Sequence, residues 1–195
     1  MPFKGYTQQQ YAQDFINTFR SRNISPDRVW PQSFLYDDIL FWLKNDHDFG
    51  RQAIYLQEFD TPEDVAAGMK NLSSVRQAGV NIIGAAIPML ITTSGTGKAS
   101  KIVPSAYAHA IKANGMDIIP WTFERSGPLA TVKARGEYYF STVANVTTHD
   151  GQYYEVLDVL ANQIGVKGLF SDWASTVTYF ANCFDLKGPV GGSYK

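Results

Sequence analysis

The side chains that could do chemistry stand where short apolar runs end. Gln32 follows Val29-Trp30-Pro31, and Glu58 follows Ile54-Tyr55-Leu56-Gln57. Trp121 and Glu124 lie in I-I-P-W-T-F-E-R-S, and Asp172 in G-V-K-G-L-F-S-D-W. A polar group at the carboxyl end of a parallel strand points to where α/β sheets and barrels build their sites. Gln32, if turned inward, must be hydrogen-bonded to protein or to ligand. Trp121 reads as a core residue or as a flat wall for a ligand, and its indole N–H needs a partner when buried. Asp172 reads either as the cap of the helix that follows or as a pocket-lining carboxylate, two roles that coincide at such turns.

Other chemistry is excluded by position. Ser94-Gly95-Thr96-Gly97-Lys98-Ala99-Ser100 imitates a phosphate-binding loop, but Thr92 stands where its first glycine should be and Ala99 where its magnesium-binding hydroxyl should be. The sequence has no Gly-x-Ser-x-Gly nucleophile elbow. Cys183 is the only cysteine, which excludes an intrachain disulfide framework and a cysteine zinc site. His109 falls on a predicted helix and reads as structural.

The elements that must position these residues alternate. A helix begins at Thr7, with Tyr11, Phe15, Ile16 and Phe19 forming its apolar stripe. Strands are expected at 29–34, 52–56, 80–86, 116–123 and 166–170, the last small and apolar enough to be buried on both faces. Helices are expected at 35–44, 61–78, 104–114 and 152–163, and from Trp173 onward, with Gly79, Gly115 and Gly165 as stops. The run 92–100 reads as a flexible polar loop, 128–151 as a long lid or recognition loop, and 188–195 as a flexible tail after one domain at 1–187. This order favours a parallel α/β architecture, and an opening helix with no strand before it implies a start in mid-fold.

The 195 residues, 45% of them hydrophobic, are enough to bury a core. A formal charge of -1 with no basic block argues against nucleic acid. No apolar run is long enough for a transmembrane segment, and Met1-Pro2-Phe3-Lys4 opens no signal peptide. Asn-x-Ser/Thr glycosylation acceptors occur at Asn23, Asn71 and Asn145.

Three stretches in order, V-W-P-Q-S-F, I-I-P-W-T-F-E-R-S and G-V-K-G-L-F-S-D-W, resemble the C-terminal part of glycerophosphodiester phosphodiesterases. The closing S-D-W-A-S-T-V-T-Y-F-A-N-C resembles the ending of longer, secreted-type members, which implies the secretory route. The resemblance implies a partial (β/α)8 TIM barrel holding roughly the last five strands. It also implies a phosphoric diester hydrolase of lipid metabolism, cleaving small-molecule glycerophosphodiesters to glycerol 3-phosphate and an alcohol. Such enzymes use a divalent metal, Ca or Mg, held by an N-terminal His-Arg, a Glu-x-Asp pair, a later His-Asp and a further Glu. Those motifs are absent here. His47, His109 and His149 stand in other contexts, and His149-Asp150 falls too late in the order. Only pocket positions carry over, namely Gln32, Trp121 and Asp172, with Glu58 added for its strand-end location. The chain is therefore expected to lack the catalytic half, and to associate with itself or with a missing N-terminal half-barrel. The alternative is a non-catalytic α/β binding module that keeps a substrate-like pocket.

Overall fold

The computed structural model describes residues 4–186; the first three residues and the expected tail at 188–195 lie outside them. Helix α1 (Gln8–Arg20) begins with a reciprocal cap. The Gln10 N–H donates to the Thr7 hydroxyl at 3.1 Å, and the Thr7 N–H donates to the Gln10 side-chain oxygen at 2.7 Å. Ala12 and Ile16 are buried, whereas Tyr11 is 58% exposed and lies off the expected stripe. Strand β1 (Gln32–Ser33) is shorter than the 29–34 run, because Pro31 cannot donate to a ladder. Helices α2 (Tyr36–Asn45) and α3 (His47–Gly50) follow. The Trp42 indole N–H donates to the Ala12 carbonyl at 2.9 Å and ties α2 to α1.

Strand β2 (Ile54–Gln57) leads to α4 (Pro62–Gln77), where the Thr61 hydroxyl accepts from the Asp64 N–H at 3.1 Å and proline opens the first turn. Strand β3 (Ile82–Ala85) is buried throughout. The buried short helix α5 (Ile87–Leu90) follows it.

Strands β4 (Ile91–Ser94) and β5 (Lys101–Pro104) form an antiparallel hairpin, with Ile91 opposite Pro104 and Ser94 opposite Lys101. Residues 92–94 of the expected flexible loop are thus strand and 97–99 a 3-10 turn, while the β-branched Ile-Thr-Thr and Ile-Val runs on either side suit a pleated surface. Gly95 has a φ of +82° at the turn, and a Cβ there would lie 2.9 Å from the Ala99 oxygen.

Helix α6 (Ala106–Ala113) and strand β6 (Asp117–Ile118) come next. Beyond them lie α7 (Val132–Arg135), α8 (Gln152–Asp158), a π-helical continuation (Val159–Ile164) ended by Gly165 at φ +73°, and α9 (Ala174–Cys183).

The result is a mixed α/β protein. Four short strands pair in the order β1-β2-β3-β6 in a parallel sheet, and Gln32 and Ser33 register against Ile54 and Tyr55. The chain divides into two compact units, Met1–Gly84 with Ile111–Asp117 and Ala85–Ala110 with Ile118–Lys195. In the first, Ile16, Ile39, Trp42, Ile54, Leu72 and Ile83 form the centre of the core. In the second, the long 128–151 run contributes to the core: Leu129, Val132, Phe140 and Val143 are fully buried. The Leu129 N–H donates to the Asp150 carboxylate at 2.7 Å, so the stretch expected to be a lid or recognition loop is pinned at both ends.

One contact in the first unit allows no extra atom. A Cβ on Gly50 would meet the Trp42 carbonyl carbon and oxygen at 2.5 Å, backbone atoms that cannot step aside. Gly50→Ala is expected to lower unfolding free energy by about 2–3 kcal/mol. Urea denaturation of both proteins measures the difference.

A buried carboxylate joins two strand ends

The candidate site lies in the second unit, on backbone run 118–123. On one side of it the Trp121 N–H donates to the Ala85 carbonyl at 3.1 Å and the Ile87 N–H donates to the Trp121 carbonyl at 2.9 Å. On the other, the Phe123 N–H donates to the Phe170 carbonyl at 2.8 Å and the Phe170 N–H donates to the Pro120 carbonyl at 2.9 Å. Phe123 and Ser171 form a parallel bridge. The 166–170 stretch is therefore paired with 118–123, but it is not a regular strand and not buried on both faces: Val166, Leu169 and Phe170 are half-buried, while Lys167 and Gly168 are exposed.

Both runs end in polar residues, and these interlock. Glu124 has a left-handed φ of +64° and is only 7% exposed. Its Oε2 accepts from the Ser171 hydroxyl at 2.7 Å, the Asp172 N–H at 3.1 Å and the Trp173 N–H at 3.3 Å. The Trp173 N–H also donates to the Ser171 oxygen at 3.2 Å. Oε1 of Glu124 is buried with no hydrogen-bond partner. One oxygen of this carboxylate is fully committed, and the other keeps acceptor capacity inside the protein.

Asp172 is not the cap of α9. Trp173 occupies the cap position and no side chain caps it there. The Asp172 carboxylate instead accepts a fork from Arg125, from Nε at 2.6 Å and from Nη2 at 3.0 Å. That guanidinium hydrogen bond holds the Asp172 carboxyl below the usual carboxylate range.

Aromatic rings surround this polar centre. Trp121 is half-buried and meets Tyr139 edge to face, with centroids 6.1 Å apart. Phe123 packs against Tyr153 at 5.0 Å and Phe140 at 6.4 Å. The Tyr153 hydroxyl donates to the Gly127 carbonyl at 2.7 Å. Burial, with the charges of Asp150 and Glu124 adding to it, pushes the Tyr153 phenol up to about 12. Trp173 is 68% exposed.

The structure thus brings together Trp121 and Asp172 in the second unit, with Glu124 and Arg125 between the two strand ends. Gln32 and Glu58 belong to the first unit, and both are exposed. The buried polar end of β2 is Gln57, one residue before Glu58; it lines a cleft of about 410 Å³ with Tyr36, Tyr55, Asp64 and Asn71. Sequence reasoning marked Glu124 as a strand terminus but missed its burial and its partners. It also missed Asp38, a buried acid of the first unit that accepts from Gln8 at 2.9 Å and Ser33 at 2.7 Å. Ser33, five residues before Asp38, was the one local signal for it. Among the described residues no group of three or more His, Cys, Asp or Glu side chains could hold a metal ion. The divalent-metal cradle implied by the resemblance is not formed by them.

Two outcomes test this centre. Glu124→Ala removes the acceptor shared by the Ser171 hydroxyl and the Asp172 and Trp173 N–H groups and should cost about 2–4 kcal/mol of stability, whereas Glu124→Gln, which keeps an acceptor oxygen, should cost about 1 kcal/mol. Denaturant midpoints of the two variants report the contrast. For Tyr153 the folded value lies above the ordinary 10.0, so its share of stability is complete below pH 10 and declines between pH 10 and about 12. Denaturation across that interval should show a shallower decline in Tyr153→Phe than in the unaltered chain.

No known family profile matches the chain. It is 45% identical over 188 residues to a protein of Arthroderma benhamiae named Extracellular protein, in a match spanning 95% of this chain and 76% of that protein. Identity of that level over that span makes this chain a member of the same family as the Arthroderma benhamiae extracellular protein.

Proposed function

We propose that this chain is an extracellular protein built on part of a (β/α)8 barrel of the glycerophosphodiester phosphodiesterase type, providing one wall of a diester pocket. One observation supports this reading. Two of the stretches that carry the resemblance, I-I-P-W-T-F-E-R-S and G-V-K-G-L-F-S-D-W, meet in parallel at Phe123 and Ser171 with their polar ends interlocked. Neighbouring parallel segments of a barrel bring their carboxyl ends together in this way. The name of the Arthroderma benhamiae relative supports the extracellular setting.

On this reading Glu124, buried, holds the two strand ends in place, and Trp121 forms the apolar wall beside them. Arg125 offers a planar fork that matches two phosphate oxygens as well as it matches Asp172, so a diester phosphate competes with Asp172 for the guanidinium. A divalent metal would come with groups other than those described.

A binding role without hydrolysis is the second reading. It is favoured by the commitment of the site's own acids, Glu124 Oε2 to the strand ends and Asp172 to Arg125. Incubating the purified chain with glycerophosphocholine and Ca²⁺ or Mg²⁺ should release no choline above buffer. Calorimetry should detect saturable glycerophosphocholine binding that Trp121→Ala weakens. Sustained metal-dependent turnover would show that the catalytic groups are present after all; absence of any binding would remove the pocket itself.

A further inference from the structure

The second unit holds another cleft, of about 500 Å³, whose lining shares no residue with the Glu124 cluster. That volume is in the range of small-molecule sites. Helix α8 and its π-helical continuation supply Tyr154, Glu155, Asp158 and Gln163, with Lys101 of β5 and Phe184 after α9 also in the lining.

Its aromatic rings are held rigidly. Phe180, 2% exposed, is stacked on Phe184 at 4.4 Å and 27° and on Tyr154 at 6.3 Å and 13°. The buried ring therefore braces two outer ones, and Tyr154 and Phe184 are 40% and 54% exposed. Tyr179, 62% exposed, extends the patch, with its ring 6.0 Å from Tyr154. Monomeric proteins rarely leave so much flat aromatic surface in one place without a use for it.

The polar lining is braced as well. The Asp158 carboxylate accepts from the Asn162 amide at 2.8 Å and from the Gln163 amide at 3.1 Å. The second bond spans five residues, the spacing that a π-helical turn brings into line. Such turns occur frequently at functional sites.

The charges choose the ligand. Glu155 and Asp158 are acceptors that repel an anion. Lys101 is a donor that opposes a cation, and the ring with the deepest burial, Phe180, already stacks with Tyr154 and Phe184. A ligand that suits donors and acceptors of both signs beside flat aromatic surfaces is neutral, rich in hydroxyls and has an apolar C–H face. We infer that this cleft binds a neutral saccharide, with Tyr154 and Phe184 against the sugar faces and Glu155, Asp158 and Lys101 on its hydroxyls.

The test is calorimetric titration of the whole chain with cellohexaose, chitohexaose, laminarihexaose and mannohexaose, and separately with choline. At least one hexaose should bind saturably, and Tyr154→Ala or Phe184→Ala should weaken it about tenfold, the scale of one lost aromatic contact. Glu155→Gln should weaken it several-fold. Tyr11→Ala, an exposed tyrosine of α1, should leave it unchanged, and circular dichroism verifies that each variant is folded. The inference is overturned if none of the hexaoses binds, if neither aromatic variant changes binding, or if choline binds and these variants abolish it. It is equally overturned if sedimentation shows the chain self-associating through this face, with Phe184→Ala restoring the monomer.

Discussion

The second unit depends on a single oxygen atom, Oε2 of Glu124. It gathers one hydroxyl and two backbone N–H groups from the end of a segment that lies 47–49 residues further along the chain. Placing a carboxylate where only 7% of the residue meets solvent is costly unless hydrogen bonds replace its water. Three donors do so for one oxygen, and charge-assisted bonds of this kind are stronger than neutral ones. The same bonds fix where the 166–171 run stops and where α9 begins, since the backbone groups they hold precede the first helical turn. The other polar features of the site, the Arg125–Asp172 fork and the raised Tyr153 phenol, are arranged around that anchor.

The two acids of the cluster behave differently for reasons of exposure. Arg125 and Asp172 are 58% and 32% exposed at their side chains, so water and salt screen their attraction and their geometry can be traded for another partner. Glu124 has no such freedom at Oε2. A site with one fixed acid and one exchangeable ion pair can admit an anion at the guanidinium without loosening the junction of the two strand ends.

Much of the helical framework was legible because helix signals are local. Thr7 with Gln10, Thr61 with Pro62, and Gly165 each mark a boundary within a few residues of themselves. Strand signals proved weaker. The 91–104 hairpin was hidden by its threonines, serines and glycines, which carry turn composition as well as β-propensity. At the end of β2 the residue expected to line a pocket, Glu58, is exposed and its neighbour Gln57 is buried; side chains alternate along a strand, so composition alone does not say which of two adjacent residues faces inward. Glu124 illustrates what no local signal holds. Its side chain is an ordinary strand-end acid in the sequence, and only the approach of Ser171, Asp172 and Trp173 makes its burial affordable.

Neither compact unit is a continuous length of polypeptide. The first is completed by Ile111–Asp117, which arrives after Ala85–Ala110 of the second has already left the ribosome. A growing chain must therefore hold one partly built unit open while the other is begun. For the same reason no single cut releases either unit whole; dissecting them requires excision of an internal piece or a rearranged order of segments.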